Sequence, residues 1–405
     1  MKKKLWIVSE LFYPDQTSTA YILSKIADKM VEKYDVSVIA GAFLYDENSE
    51  ISKSYFELND SIEIIRMKSK KRDKNKLLQR AVKLISDAFN FSKILWSKVD
   101  KKDKVLIVTN PAPLLIFISL IKQIKKFELT ILVHDVFPEN TIPVGIFKND
   151  NSLIYKLILY LFNFAYSQAD TLIVLGRDME AIFKNKLKRN KNTSKIKIIE
   201  NWADINLIIP VLRKPQLLQD RHSKNIVTIQ YAGNIGRAQR IEKFIDRFNN
   251  SSNKNIHFDL WGNGAMKEEL TSKVNELGLN DKVTFHGSFS RDSQQEVLNS
   301  TDLALVTLAE GMYGLGVPSK TYNILAAGIP ILYIGNADSE IGLLVNEENI
   351  GYCFEPDDHQ GIEEFLKKLD QTILQELVIK GQNARKLAEE KYSENAILLK
   401  YTTIL

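Results

Sequence analysis

The sequence predicts an α/β protein built from two doubly wound, Rossmann-like domains. Three observations carry this prediction. The chain has 405 residues, enough for two or three domains at about 150 residues each. Short β-rich runs alternate with amphipathic helical patterns along the whole chain. Those runs show little period-two alternation, as expected of parallel strands covered by helices on both faces.

In the first half the pattern predicts a strand at 5–9, a helix over 19–33, strands at 36–40 and 63–66, a basic helix, a strand at 105–109, a helix over 114–126, a strand at 129–133, a helix over 153–167 and strands at 171–175 and 196–200. After Asn201-Trp202-Ala203-Asp204 the pattern breaks at Pro210, Pro215 and the polar stretch 219–225, which reads as a linker. Alternation then restarts: strand 226–231, helix from Gln239, strand 257–261, helix 265–277, strands 283–286 and 303–307, helix 319–327 and strand 329–334. The tail from Glu363 reads as helical. The predicted domains are 1–205 and 206–391, with a last helix, 392–405, packing back on the first.

Composition narrows the class. Apolar residues make up 44% of the chain, with 18 glycines and 10 prolines, which excludes disordered and collagenous chains. The single cysteine, Cys353, forbids an intramolecular disulfide, and no Cys/His set has metal-ligand spacing. A cytosolic compartment is the default. The apolar run after Met1-Lys2-Lys3-Lys4 ends at Ser9-Glu10, short of the ~7–15 residues of a signal peptide. The longest apolar stretches, 114–121 and 157–162, fall below the ~18 residues of a membrane span.

Charge is unevenly placed. Residues 1–200 hold 34 Lys/Arg against 23 Asp/Glu, and the window from Arg66 to Lys104 holds 14 against 4. That window contains Lys70, Lys71, Arg72, Lys74, Lys76 and Arg80, and its apolar residues recur at helical spacing up to Trp96. A basic amphipathic helix lying on an anionic membrane surface is one reading, and a core-packed helix with a solvated basic rim is the other. No zinc-finger spacing, RNP-like strand or basic-aromatic interleaving is present, so nucleic acid is not the expected partner.

Ligands of open α/β sheets bind beyond the carboxyl ends of the strands. Three such loops in the second half carry candidates. Gly233-Asn234-Ile235-Gly236-Arg237 combines glycines for close phosphate approach with a cation, Arg237, and Arg240 follows; a tight turn needing glycine is the bland alternative. Trp261-Gly262-Asn263-Gly264 begins like a dinucleotide fingerprint but has Lys267 where its last glycine belongs, so a classical NAD site is not expected. Gly314-Leu315-Gly316-Val317-Pro318-Ser319-Lys320 opens a helix that ends near Gly328, with Lys320 and Asn323 on one face near its start. Free amides, a cation and a side-chain amide together suit a diphosphate leaving group, whose charge grows as its bond breaks. No Asp-x-Asp pair occurs, which fits a site that works without a metal. In the first half, His134 and Asp135 follow the strand ending at Val133; Glu139 lies four residues on.

The chain resembles, over essentially its whole length, the family 4 glycosyltransferases of the GT-B fold, and within them the bacterial surface-polysaccharide group similar to the fucosamine transferase of O-antigen assembly. The resemblance rests on Ser9-Glu10-Leu11-Phe12-Tyr13-Pro14, Thr109-Asn110-Pro111-Ala112-Pro113, Asp135-Val136-Phe137-Pro138-Glu139, Ala169-Asp170, Asn201-Trp202-Ala203-Asp204, the Gly233 loop and Pro318-Ser319-Lys320. It implies two domains facing each other across a cleft, and retaining, metal-independent transfer of a sugar from a nucleotide diphosphate, most often UDP. No cofactor is implied beyond that donor. The acceptor it implies is a glycan on a polyprenyl diphosphate at the cytoplasmic face of the membrane, in O-antigen or capsule assembly.

The resemblance further implies a donor set of Gly233, Asn234, Gly236, Arg237, Arg240, Gly262, His286, Gly316, Val317, Lys320 and Asn323. His134 and Asp135 are the catalytic candidates, orienting the acceptor and supporting positive charge at the anomeric carbon, with a structural histidine as the other reading of His134; Glu139 stands second, with a helix-start residue as its alternative. The residues from Lys70 to Trp96 become the membrane surface. The family's glutamate pair falls on Leu315 and Asn323, its phosphate-binding lysine on Gln239 and its early glycine pair on Ser18-Thr19. Two rival readings are a non-catalytic nucleotide-sugar-binding or scaffold protein and a sugar-nucleotide epimerase.

Overall fold

The apolar runs become two all-parallel sheets, each covered by helices. The computed structural model describes residues 2–15, 17–42, 56–67, 77–188, 195–211 and 215–405, with the side chains of α2 described from Val82 onward. The first set of elements is β1 (Lys3–Ser9), α1 (Ser18–Met30), β2 (Tyr34–Ala40), β3 (Glu63–Arg66), α2 (Leu77–Lys98), β4 (Lys104–Val108), α3 (Leu114–Lys125), β5 (Glu128–Val133), α4 (Leu153–Gln168), β6 (Thr171–Val174), α5 (Arg177–Leu187) and β7 (Ile196–Ile198). The sheet order is β3-β2-β1-β4-β5-β6-β7, so the winding reverses between β1 and β4.

Leu5, Ile7 and Val8 in β1, Leu106 and Ile107 in β4, and Ile131 and Leu132 in β5 are all fully buried, which is why these strands lack alternation. Right-handed crossovers put α1 on one face of this sheet and α2 to α5 on the other. Thr17 caps α1, its hydroxyl accepting from Ala20 N at 3.2 Å, a contact worth about 1 kcal/mol.

The second set is α6 (Gln216–Ser223), β8 (Val227–Ala232), α7 (Ile241–Asn250), β9 (Ile256–Trp261), α8 (Lys267–Glu276), β10 (Val283–Phe285), α9 (Arg291–Leu298), β11 (Leu303–Thr307), α10 (Lys320–Ala326), β12 (Ile331–Ile334), α11 (Glu340–Glu347), β13 (Gly351–Phe354), α12 (His359–Lys368), α13 (Leu374–Glu390) and α14 (Glu394–Ile404). Its sheet order is β10-β9-β8-β11-β12-β13, with the reversal between β8 and β11. Ile229, Phe258, Leu260, Leu303 and Leu332 are fully buried at its centre.

The chain divides into one unit of 1–142, 147–199 and 398–405 and a second of 143–146 and 200–397. The division falls at 199/200 rather than 205/206, because the segment after β7 already belongs to the second unit. Ala203 N donates to Tyr392 O at 2.7 Å and Asp204 N to Asn323 Oδ1 at 3.3 Å. In the tail only 398–405 groups with the first unit, where Lys33 Nζ donates to Thr402 O at 3.0 Å and the Tyr34 hydroxyl to the Leu405 carbonyl. The stretch 219–225, expected as a linker, is mostly helix α6, because its Arg221 is buried against β9. α5, α9, α11 and β13 are additions to the elements expected from sequence; α9 has only eight residues and a mainly polar composition.

Candidate active site

In the second unit, the loops after β8, β9 and β10 seal against one another through their backbones. Gly233 N donates to Trp261 O at 3.0 Å, Ile235 N to Asn263 O at 2.9 Å and Gly262 N to Gly287 O at 3.1 Å. A Cβ on Gly262, whose φ is +128°, would lie 1.9 Å from Gly233 O, and one on Gly264 would lie 2.2 Å from Ile235 O. Glycine is required here for close approach of two backbones. Gln239, where the resemblance puts a lysine, locks the turn instead: its Oε1 accepts from Gly236 N at 3.1 Å.

Lys320 comes from the other side of the switch point between β8 and β11. Its Nζ is buried, has no hydrogen-bond partner and lies 3.4 Å from the centroid of the Tyr231 ring. A Cβ on Gly233 would sit 3.6 Å from that same Nζ. Burial holds the Lys320 ammonium well below its ordinary pKa of 10.5. Tyr231 is kept in place by its hydroxyl, which donates to Asn234 O at 2.6 Å. The structure thus brings Gly233, Asn234, Gly262 and Lys320 together and adds Tyr231, which the sequence analysis did not single out. A buried ammonium whose only neighbour of opposite polarity among the described residues is an aromatic face gains a charge-assisted partner when a phosphate binds beside it.

Other donor candidates are placed differently. α10 has seven residues, and the amides of Thr321 and Tyr322 already donate to Pro318 O and Ser319 O at 3.1 and 3.3 Å, so the expected row of free amides is reduced. Asn323 Oδ1 is taken by Asp204 N, so Asn323 ties α10 to the segment after β7 rather than offering that oxygen to a ribose. Arg237 and Arg240 are exposed, Arg240 lying 3.5 Å from Glu242, and Gly316 and Val317 are half-buried in the turn before α10.

His286, just after β10, stacks flat on Trp261, with ring centroids 4.0 Å apart at 4°. Its Nε2 lies 3.0 Å from Asp259 Oδ1, and Asp259 also receives the guanidinium of Arg221, through NH1 at 2.5 Å and NH2 at 3.1 Å. Despite burial, the hydrogen bonds from His286 and Arg221 hold the Asp259 carboxyl below its ordinary range. An acid between Phe258 and Leu260 in an apolar strand was a sequence signal for a buried partner. The identity of that partner was not readable.

In the first unit, His134 and Asp135 leave the end of β5, and their backbone amides both donate to the hydroxyl of Thr109 at the end of β4, at 3.1 and 3.2 Å. Two of the motif loops are therefore fastened by one threonine. Three motif loops also contain cis peptide bonds, Tyr13–Pro14, Asn110–Pro111 and Phe137–Pro138. The Nε2 of His134 is buried without a hydrogen-bond partner. Burial lowers His134 to about 4 and raises Asp135 to about 6. At neutral pH this makes the imidazole neutral and Asp135 mostly a carboxylate. Glu139, in a 3-10 turn, is held in an ion pair by Lys186 of α5, which assigns one of its oxygens to anchoring that turn.

Lys70, Lys71, Arg72, Lys74 and Lys76 lie outside the described residues, as does the side chain of Arg80 on α2. Trp96 is 46% exposed, with Lys125 Nζ 5.4 Å from its ring centroid. Among the described residues no helix is long and apolar enough to cross a membrane.

Residues 218–396 match the family described as glycosyl transferases group 1. Over 402 residues the chain is 34% identical to WbjE of Pseudomonas aeruginosa, named a probable glycosyltransferase, covering 98% of this chain and 96% of that one. It is 28% identical over 241 residues to WcaI of Escherichia coli K12, a protein named for glycosyl transfer in colanic acid biosynthesis, covering 57% of this chain and 56% of the other. The crystal structure of Anabaena HepE in complex with UDP matches with a TM-score of 0.69 at 14% identity, covering 99% of this chain and 98% of that one. Two doubly wound units, the likeness to HepE in fold and the near full-length relative at 34% identity agree: the chain belongs to the group 1 glycosyl transferases and is a glycosyltransferase of the GT-B fold.

Proposed function

We propose that this glycosyltransferase moves a sugar, with retained anomeric configuration and without a metal, from a UDP-sugar to a glycan carried on a polyprenyl diphosphate. The reaction belongs at the cytoplasmic face of the membrane, in assembly of an O-antigen or capsule type of polysaccharide. The observation that carries the donor half is the Lys320 ammonium, buried without a hydrogen-bond partner beside Gly233 at the switch point of the second sheet. UDP in HepE and the colanic acid role in the name of WcaI support the donor and pathway class. The sugar moved in this reading is a hexose or an N-acetylhexosamine.

In this reading the bond from the anomeric carbon to the diphosphate breaks with its electron pair going to the phosphate oxygen, where Lys320 meets the growing charge. The acceptor hydroxyl oxygen bonds to the same carbon, and its proton passes to the leaving diphosphate. Asp135, ionised above about 6, supports positive charge at that carbon, and neutral His134 orients the acceptor. The early basic segment from Lys70 and the helix to Trp96 meet the anionic membrane surface.

The test is a thermal-shift panel of UDP, GDP, dTDP, CDP and ADP with and without magnesium, then a UDP-sugar screen read by UDP release. Ligand at about 100 times its Kd should stabilise the protein by roughly 2.7 kcal/mol. UDP acting alone and equally with a chelator supports the proposal. Binding of no nucleotide favours the scaffold reading, for which the absent glutamates at Leu315 and Asn323 speak, and UDP-sugar conversion without any acceptor favours the epimerase.

A further inference from the structure

Helices α2, α3 and α4 lie side by side on one face of the first sheet, α3 in the middle, and their outer surface is apolar. Among the described residues, eleven of the twenty exposed large apolar side chains sit on these three helices, and α1 and α5 of the same unit carry none. Phe89 on α2 is 50% exposed, Ile124 on α3 68%, and Leu153, Leu157 and Tyr160 on α4 84%, 60% and 70%. Such a concentration exceeds the scattered exposure normal for a monomer.

Charge identifies what covers it. The three helices contain seven Lys/Arg and one acid, Asp87, and α3 and α4 contain no acid at all. Pairing this face with a second copy of itself would set cations against cations, whereas an anionic surface complements it. Tyr160 and Trp96 have the amphipathic rings favoured at a lipid interface, and the exposed Lys93, Lys98 and Lys156 have stems long enough to reach headgroups.

Direction matters as well. Helices of a parallel α/β unit run antiparallel to the strands, so α4 begins at the carboxyl end of the sheet. Leu153, the most exposed apolar side chain of the face, is therefore at the same end as His134 and Asp135, which leave β5 there.

We propose that the α2-α3-α4 face docks on an anionic lipid leaflet, with the start of α4 inserted deepest, so that a lipid-anchored acceptor emerges at the His134 end of the sheet. This rests on the lipid-linked acceptor reading for its purpose and extends the membrane contact from the basic segment to two further helices, α3 and α4.

The experiment uses the full chain and sedimentation with phosphatidylcholine vesicles, with and without phosphatidylglycerol, comparing wild type with a Leu153→Asp/Leu157→Asp double variant and with Lys93→Gln/Lys98→Gln. Wild type should partition about tenfold better onto the anionic vesicles, and the α4 variant should lose about tenfold or more. The lysine variant should lose less and show a weaker dependence on salt. Both variants should keep the wild-type melting temperature and its shift by UDP.

Equal vesicle binding by the α4 variant overturns the proposal, as does indifference of wild type to phosphatidylglycerol. Sedimentation velocity without lipid that shows a dimer abolished by Leu153→Asp/Leu157→Asp would overturn it in favour of a second copy. Nucleotide binding without vesicle binding sinks the docking face alone, and vesicle binding without nucleotide binding sinks the donor reading alone.

Discussion

Replacing Lys320 by methionine should remove most turnover and, in the same protein, raise stability. The ammonium is buried with no hydrogen-bond partner, 3.4 Å from the Tyr231 centroid. A desolvated cation–π contact is worth about 2 kcal/mol, against several kcal/mol for taking an ammonium out of water. The charged form is therefore disfavoured, and the pKa falls well below 10.5. Exchanging a buried charge for an apolar side chain of similar volume typically stabilises by about 1–4 kcal/mol. At about 2–4 °C per kcal/mol for a unit of 150–250 residues, the melting temperature should rise by about 2 °C or more.

The pH dependence has a definite sign. With the folded pKa depressed, the unfolded chain binds more protons between that value and 10.5, so wild-type stability rises with pH through that window, and the methionine variant should lose that rise. Turnover should fall by about 10²–10³, the loss of one donor aimed at developing charge, while the KM for donor changes less. Scanning fluorimetry at several pH values and initial rates of UDP release measure both sides. Turnover within about threefold of wild type, or a melting temperature several degrees lower, would refute the reasoning, the latter because it would mean that the ammonium is paired.

Opposite pH slopes should emerge when His134 and Asp135 are changed one at a time. Burial raises Asp135 to about 6 from 3.8, so it takes stability away as pH rises across that window, whereas His134, lowered to about 4 from 6.5, adds stability as pH rises. At about 1.36 kcal/mol per unit each amounts to roughly 3 kcal/mol, and the two nearly cancel in wild type. Denaturant titrations between about pH 4 and 6.5 should show stability rising in Asp135→Asn and falling in His134→Asn; equal slopes would contradict the burial of one of them. Gly262→Ala forces a Cβ to within 1.9 Å of Gly233 O at a φ of +128° and should lower stability by about 3 kcal/mol and abolish the UDP shift. Gly278→Ala, at a φ of +64° in open space, is its control and should cost about 1–2 kcal/mol with the UDP shift intact.

Much of the fold was legible because parallel strands buried on both faces announce themselves as continuous apolar runs. The strand at 303–307 has the predicted bounds, and most others shift by one or two residues. The candidate site was legible where a residue type has one backbone job: Gly233 and Gly262 stand where two loops touch. It was less legible where a side chain had several partners to choose from. Asn323, offered to a ribose, has its Oδ1 accepting from Asp204 N, and Glu139, offered to catalysis, has one oxygen paired with Lys186 while the other is buried without a hydrogen-bond partner. Tyr231 was passed over because nothing local marks a strand-end tyrosine as the surface under a lysine 89 positions away.

By itself the sequence determined the alternation of strands and helices, the presence of two doubly wound units and the loops in which glycines and cations gather, since all of these follow from local periodicity and from the few residues that tight turns admit. The tertiary structure alone decided which charges are spent and which are left over. Arg221 finds Asp259 and Lys186 finds Glu139, while Lys320 has only an aromatic face. It also decided that Leu153, Ile154, Leu157 and Tyr160 of α4 face outward, because an amphipathic or apolar pattern states that a surface must be covered and says nothing of whether a sheet or a lipid leaflet covers it.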